Sequence, residues 1–168
     1  MTDSGTARIT ATRGGRSRIA TGVVVLDHLL TELASAGRFE LRLEIAPSVP
    51  EAEVEAAGAA LGGEVARLLE AEAAPGRGVG IVPSDEALAM VVVEASGRPL
   101  VASNADLSST LAGGLRTDVA AAFLEALSER AGLTIHVRLI EGEDSQHVLA
   151  AIFKALGAAL ADATRTGV

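Results

Sequence analysis

Three histidines, His28, His136 and His147, are the only imidazoles in the chain, and there is no cysteine. A transition metal held by protein alone needs several converging imidazoles, thiolates or carboxylates, so any such site here must recruit carboxylates or do without metal. Glu51 and Glu55 stand four residues apart at an expected helix start and share one face. With His147 from the other half of the chain or from another subunit they would form a carboxylate-rich site suited to Mg or Mn. Glu51, Glu53 and Glu55 are equally explained without metal, because carboxylates in a first helical turn oppose the positive end of the helix dipole. Taken alone, His28 reads as a structural or partly exposed imidazole, and His136, inside an expected strand, as a packing or hydrogen-bonding one. Arg98 and Lys154 are the best candidates for holding an anion, a fork and a point charge that both suit phosphate. Asp85-Glu86 has the look of an acid/base pair, but capping the segment that follows is the simpler reading. No residue is assigned a catalytic role.

The glycine-rich run Gly76-Arg77-Gly78-Val79-Gly80 lacks the preceding strand and following helix of a nucleotide-binding loop. A net charge of -8 and only 2% aromatic residues argue against nucleic acid. No basic start followed by an apolar run marks a secretory signal, and no uncharged run of roughly 18 or more apolar residues suggests a membrane span. A cytoplasmic protein is expected, in keeping with the missing cysteines.

The elements that must position these residues follow from periodicity and from Gly and Pro punctuation. Strands are expected at 7–12 and 17–25, joined by a turn at Gly14-Gly15, then a helix over 27–36 with Asp27 as N-cap and Gly37 as its left-handed stop. A strand over 39–45 and a helix over 51–73 complete a first set. A turn over 75–80, an ambiguous stretch over 85–89, strands at 90–95 and 100–103, a helix over 117–130 stopped by Gly132, a strand over 133–140 and a helix over 145–164 form the second. Ala36-Gly37 recurs as Ala131-Gly132, and Ala60-Leu61-Gly62 as Ala155-Leu156-Gly157, each 95 residues on. With 168 residues, 49% of them hydrophobic, the chain can bury one sizeable core. The expectation is an α+β fold of internally duplicated half-domains, a mixed sheet covered by helices. Its parts would be a flexible N-terminus (1–6), a first half (7–80), a second half (81–164) and a tail (165–168), all in one compact domain.

Several blocks in this order resemble one family. Thr21-Gly22-Val23 leads into Leu26-Asp27-His28-Leu29-Leu30 and Phe39-Glu40-Leu41. Pro83-Ser84-Asp85-Glu86-Ala87-Leu88-Ala89, Ser96-Gly97-Arg98-Pro99, Leu133-Thr134-Ile135-His136 and Phe153-Lys154-Ala155-Leu156 follow. Together they resemble imidazoleglycerol-phosphate dehydratase, a manganese-dependent hydro-lyase of histidine biosynthesis built from a duplicated half. The resemblance covers about residues 7–163 and implies a large symmetric homo-oligomer, with metals at subunit contacts and a phosphorylated small molecule as ligand.

The family carries a His-His-x-x-Glu motif at the long-helix start of each half, plus a lone His from each earlier helix. By resemblance the first motif falls on Glu51-Ala52-Glu53-Val54-Glu55, the second on Gln146-His147-Val148-Leu149-Ala150, and the lone histidines on His28 and Ala122. His28, Glu55 and His147 are thus what remains of the eight implied ligand positions. Arg98 and Lys154 match family residues that contact substrate and lie near its phosphate. Ala36 replaces another family His, and the loops before Pro83 and before Glu51 are short. The expectation is a catalytically degenerate, oligomeric paralogue with a structural, binding or regulatory role. It would form a homo-oligomer or co-assemble with a sister subunit, with no cofactor, or Mn if any metal is kept. The alternative is the dehydratase itself, working with a depleted or rebuilt metal site.

Overall fold

A computed structural model describes residues 5–11, 16–107, 111–112 and 115–166. In chain order the elements of the first part are β1 (Gly5–Ala11), β2 (Arg18–Ala20), α1 (Val24–Gly37), β3 (Phe39–Ile45) and α2 (Pro50–Leu69). The second part has β4 (Arg77–Ser84), β5 (Ala87–Glu94), β6 (Leu100–Ser103), the short pair β7 (Leu111–Ala112) and β8 (Leu115–Arg116), α3 (Thr117–Ala131), β9 (Thr134–Glu141) and α4 (Ser145–Thr164). The expected Gly14-Gly15 turn, residues 1–4 of the expected flexible N-terminus and residues 167–168 of the expected tail lie outside the described residues, while Gly5 and Thr6 belong to β1.

The fold is α+β, with mixed sheets and helices packed on them. One sheet runs β1-β3-β2 and the other β4-β5-β9-β6. In the first, β1 is antiparallel and β2 parallel to β3; in the second, β5 is antiparallel and β6 parallel to β9. The parallel pairs are the ones joined through a helix, α1 or α3, because a parallel neighbour is reached only by a crossover. The same pairing order therefore recurs in both parts. The expected division between residues 80 and 81 falls inside β4, which pairs along its whole length with β5, so the second sheet begins at Arg77.

That strand corrects the expected turn over 75–80. Its glycines are not turn residues. A Cβ at Gly78 would lie 2.0 Å from the Ala159 carbonyl oxygen, and one at Gly80 2.1 Å from that of Ala155. The alternation of glycine with Val79 and Ile81 is a period-two strand pattern whose inner face is bare backbone, so that α4 can lie directly on it. Close approach recurs between helices: a Cβ on Gly157 of α4 would lie 2.0 Å from the Leu33 oxygen of α1. Leu26, Leu30 and Leu33 of α1, Leu61 of α2, Phe123 and Leu127 of α3, and Ile152 and Phe153 of α4 fill the interior, with the two Phe rings 5.5 Å apart. By length and composition α4 could cross a membrane, but 67% of its most apolar window is buried inside this fold, as befits a central core helix.

Two helix boundaries differ from expectation for identifiable reasons. Helix α1 starts at Val24 rather than Asp27, cutting β2 short at Ala20. The Asp27 carboxylate does not cap the helix; it accepts from the backbone N–H of Thr21 at 2.9 Å and from its hydroxyl at 2.5 Å, bracing the preceding turn. Gly37 is the last helical residue, and Arg38 takes the left-handed conformation (φ 56°) instead. Gly37 is needed bare, since a Cβ there would meet the Gly157 oxygen at 2.6 Å. Gly132, which follows α3, adopts φ 68° as a left-handed stop.

Candidate functional site

A cleft of about 450 Å³ opens between α1, the β4–β5 turn and the first three turns of α4. Val24, Val25, His28, Leu29 and Glu32 line it from α1, Ser84 and Asp85 from the turn, and Gln146, His147, Leu149 and Lys154 from α4. His28, His147 and Lys154, singled out in the sequence, are thus gathered at one place. Three elements do this: α1 presents residues 25, 28, 29 and 32 on one helical face, α4 presents 146, 147, 149 and 154, and a two-residue hairpin supplies the third wall.

The hairpin is Asp85-Glu86, with Ser84 paired to Ala87 and Asp85 at φ 51°. These carboxylates do not cap a following segment, as expected; they flank His147. Glu86 accepts from His147 Nδ1 at 2.7 and 2.8 Å, while Asp85 Oδ2 lies 3.4 Å from Nε2. Asp144, the N-cap of α4, accepts from the backbone N–H groups of Gln146 and His147 and lies 3.9 Å from His147 Nδ1. The hydrogen bond to Glu86 holds the His147 pKa above its ordinary value, against a smaller opposing effect of desolvation and with Coulombic help from Glu86, Asp144 and Asp85.

Across the cleft, Glu32 stands between two basic groups. Its Oε1 is 3.7 Å from His28 Nε2, and its Oε2 is 3.6 Å from Lys154 Nζ. The Lys154 and Glu32 side chains are 27% and 30% exposed, whereas that of His28 is 67% exposed. Sequence reasoning passed over Glu32. The signal was there: it lies one helical turn beyond His28, at i+4.

Three other predicted residues stand apart. Glu55 is exposed on α2 and does not line the cleft, and neither does Glu51, so the expected grouping of Glu51 and Glu55 with His147 is not formed within one chain. Glu53, between them, folds inward: its carboxylate accepts from the Ser48 N–H at 3.3 Å and lies against Gly22, where a Cβ would be 2.1 Å from Oε2. Arg98 lies in the turn after β5, at the opposite end of that strand from Asp85 and roughly 25 Å along it. Its carbonyl accepts from the Thr134 hydroxyl at 2.9 Å, so the turn is braced, but Arg98 and Lys154 do not converge on one anion within the chain. His136 is exposed on the outer face of β9, between Val92 and Ala102, rather than packed in the core.

Manganese asks for several free imidazole and carboxylate donors around one point. Among the described residues, no group of three or more His, Asp or Glu is arranged to hold a metal ion. His147 Nδ1 is taken by Glu86, His28 faces Glu32, and the five positions that the resemblance implies would complete the set carry Glu51, Ala52, Ala122, Gln146 and Ala150. The residues of one chain do not fit a pair of manganese ions.

The family model for imidazoleglycerol-phosphate dehydratase matches residues 21–160. The imidazoleglycerol-phosphate dehydratase of Acetivibrio thermocellus is 36% identical over 155 residues, covering 90% of this chain and 80% of that protein. That of Syntrophobacter fumaroxidans is 35% identical over 163 residues, covering 95% and 83%. The crystal structure of the Staphylococcus aureus dehydratase superposes with a TM-score of 0.86 at 32% identity, covering 97% of this chain and 94% of that one. The Pyrococcus furiosus structure gives 0.84 at 26% identity, covering 97% and 89%. By sequence over nearly its whole length, and by fold, this chain belongs to the imidazoleglycerol-phosphate dehydratase family.

Proposed function

We propose that this chain keeps the dehydratase scaffold and its cleft while doing without the two-manganese chemistry, and that it serves in the cytoplasm as an oligomeric binding, structural or regulatory member of the family. The supporting observation is the state of the cleft's own donors. His147 is held by Glu86 and Asp85, Lys154 by Glu32, and alanines stand where further ligands are required. A metal must displace these carboxylates or recruit them. The recurring strand order fits a duplicated half, and the expected assembly is a symmetric homo-oligomer or a co-assembly with a sister subunit.

A second reading is the dehydratase reaction itself, elimination of water from a phosphorylated imidazole compound at a depleted or rebuilt site. The family likeness favours it, since each relative named above is itself called an imidazoleglycerol-phosphate dehydratase. One local feature does as well: a carboxylate on Nδ1 fixes the ring, as is common for metal-binding histidines, and a second carboxylate, Asp85, lies 3.4 Å from Nε2. Metal analysis of protein purified without chelators, combined with a dehydration assay on imidazoleglycerol phosphate in added Mn, separates the two. The first reading expects substoichiometric Mn and no turnover. Stoichiometric Mn with turnover overturns it and establishes the second.

A further inference from the structure

We propose that Glu32 is a specificity-determining residue that closes this cleft to dianionic ligands such as phosphate monoesters and leaves it open to neutral or cationic small molecules. The inference rests on the reading of the cleft as the ligand-binding site. Lys154 is the only lysine in the chain and the one ammonium group lining the cleft. An anion entering between α1 and α4 would have to be met by it. Glu32 already occupies that position. Its Oε2 lies 3.6 Å from Lys154 Nζ, and its other oxygen is turned to His28 at 3.7 Å, so one carboxylate faces both basic groups on this side of the cleft.

The opposite wall compounds the effect. Asp85 faces the cleft beside His147, and Glu86 and Asp144 lie against the same ring. Every basic group of the cleft therefore has at least one carboxylate near it, and the balance is negative. A phosphate dianion brought near Lys154 would also be brought near Glu32. At the separations within a half-buried cleft that repulsion is comparable to the attraction of the single ammonium group. The remaining walls carry no charge: Val24, Val25, Leu29 and Leu149 are apolar, and Ser84 and Gln146 are neutral and polar. A neutral ligand, or a cation shared between Glu32 and Asp85, meets neither obstacle.

Calorimetric titration with inorganic phosphate, on metal-free full-length protein near pH 8, tests this directly. Glu32→Gln keeps the size and shape of the side chain at a partly exposed helix position, and thermal melting of each variant checks the fold. The expected result is about tenfold tighter phosphate binding by E32Q than by the unaltered protein, with the gain abolished in the double variant E32Q/K154M. Equal affinity in the unaltered protein and E32Q, at any strength, overturns the proposal. So does a gain that survives in E32Q/K154M. The readout is phosphate binding without metal, so its failure is distinguishable from the manganese analysis, while turnover of imidazoleglycerol phosphate would itself overturn the proposal.

Discussion

Helices α2 and α4 hold equivalent places in the two parts of the fold, and residues 95 apart in them can be compared directly. At the start of α2 the N-cap is Val49, whose side chain makes no capping hydrogen bond; at the start of α4 it is Asp144, which accepts from two backbone N–H groups. Further along, Gly62 of α2 approaches α3, with a Cβ there 2.8 Å from Arg130 Cβ and 3.0 Å from the Leu127 oxygen. Gly157 of α4 lies closer to α1: a Cβ there would be 2.0 Å from the Leu33 backbone oxygen, which cannot rotate away. The helix that carries the cleft is the better capped and more tightly seated of the two. The other has its first-turn carboxylates in solvent, apart from Glu53, which accepts from the Ser48 N–H and lies against Gly22. The two helices thus carry different local contents, and the residues with chemistry to offer sit on the more firmly held one.

The contrast is most easily broken at the crossings. Gly157→Ala is expected to cost about 3 kcal/mol, because backbone must move by more than an ångström, while Gly62→Ala should cost about 1 kcal/mol, its milder overlap with the Arg130 Cβ and the Leu127 oxygen being partly offset by the better helix propensity of alanine. Urea unfolding of both variants measures the difference, and equal costs would end the claim that α4 is the tighter helix. The caps come next. Asp144→Ala should lose about 1 kcal/mol, whereas Val49→Asp should gain about 0.5 kcal/mol by supplying the cap that α2 lacks. If Val49→Asp proves destabilising, the absent cap is not what distinguishes the helix starts.

The smallest effect concerns His147. Its pKa is raised in the folded state, so the contribution of its protonated form is fully present below the unfolded value of about 6.5 and is lost as pH rises through the higher folded value. Imidazole resonances followed by NMR should place the His147 titration above that of an unfolded-chain histidine. Glu86→Gln should bring it down. A titration unchanged by that substitution would remove Glu86 as the cause.

Much of this arrangement is legible in the chain itself. The β-branched run over 90–95, the stop at Gly132 and the Phe39–Ile45 alternation each carry their own local signal, because strand pairing and left-handed caps impose residue types at fixed positions. The glycine strand β4 does not, since Gly78 and Gly80 are selected by an α4 that lies some eighty residues away. Gly37 misleads for the same reason: a helix crossing claims its missing Cβ, and Arg38 takes the left-handed turn. In the site, residue identities name His28, His147 and Lys154, and i+4 spacing points to Glu32. The Asp85-Glu86 contacts with His147 come from a hairpin packed against another helix, and nothing in the linear order encodes that neighbour.

The sequence by itself determined the family and the α+β class, because those are properties of residue type in order along the chain. Only the tertiary structure decided which survivors meet. It brings His28, Glu32, Lys154 and His147 around one cleft and leaves Glu55 and Arg98 outside it. Side-chain charge acts over a few ångströms, and those distances are set by helix crossings and strand register rather than by separation in sequence.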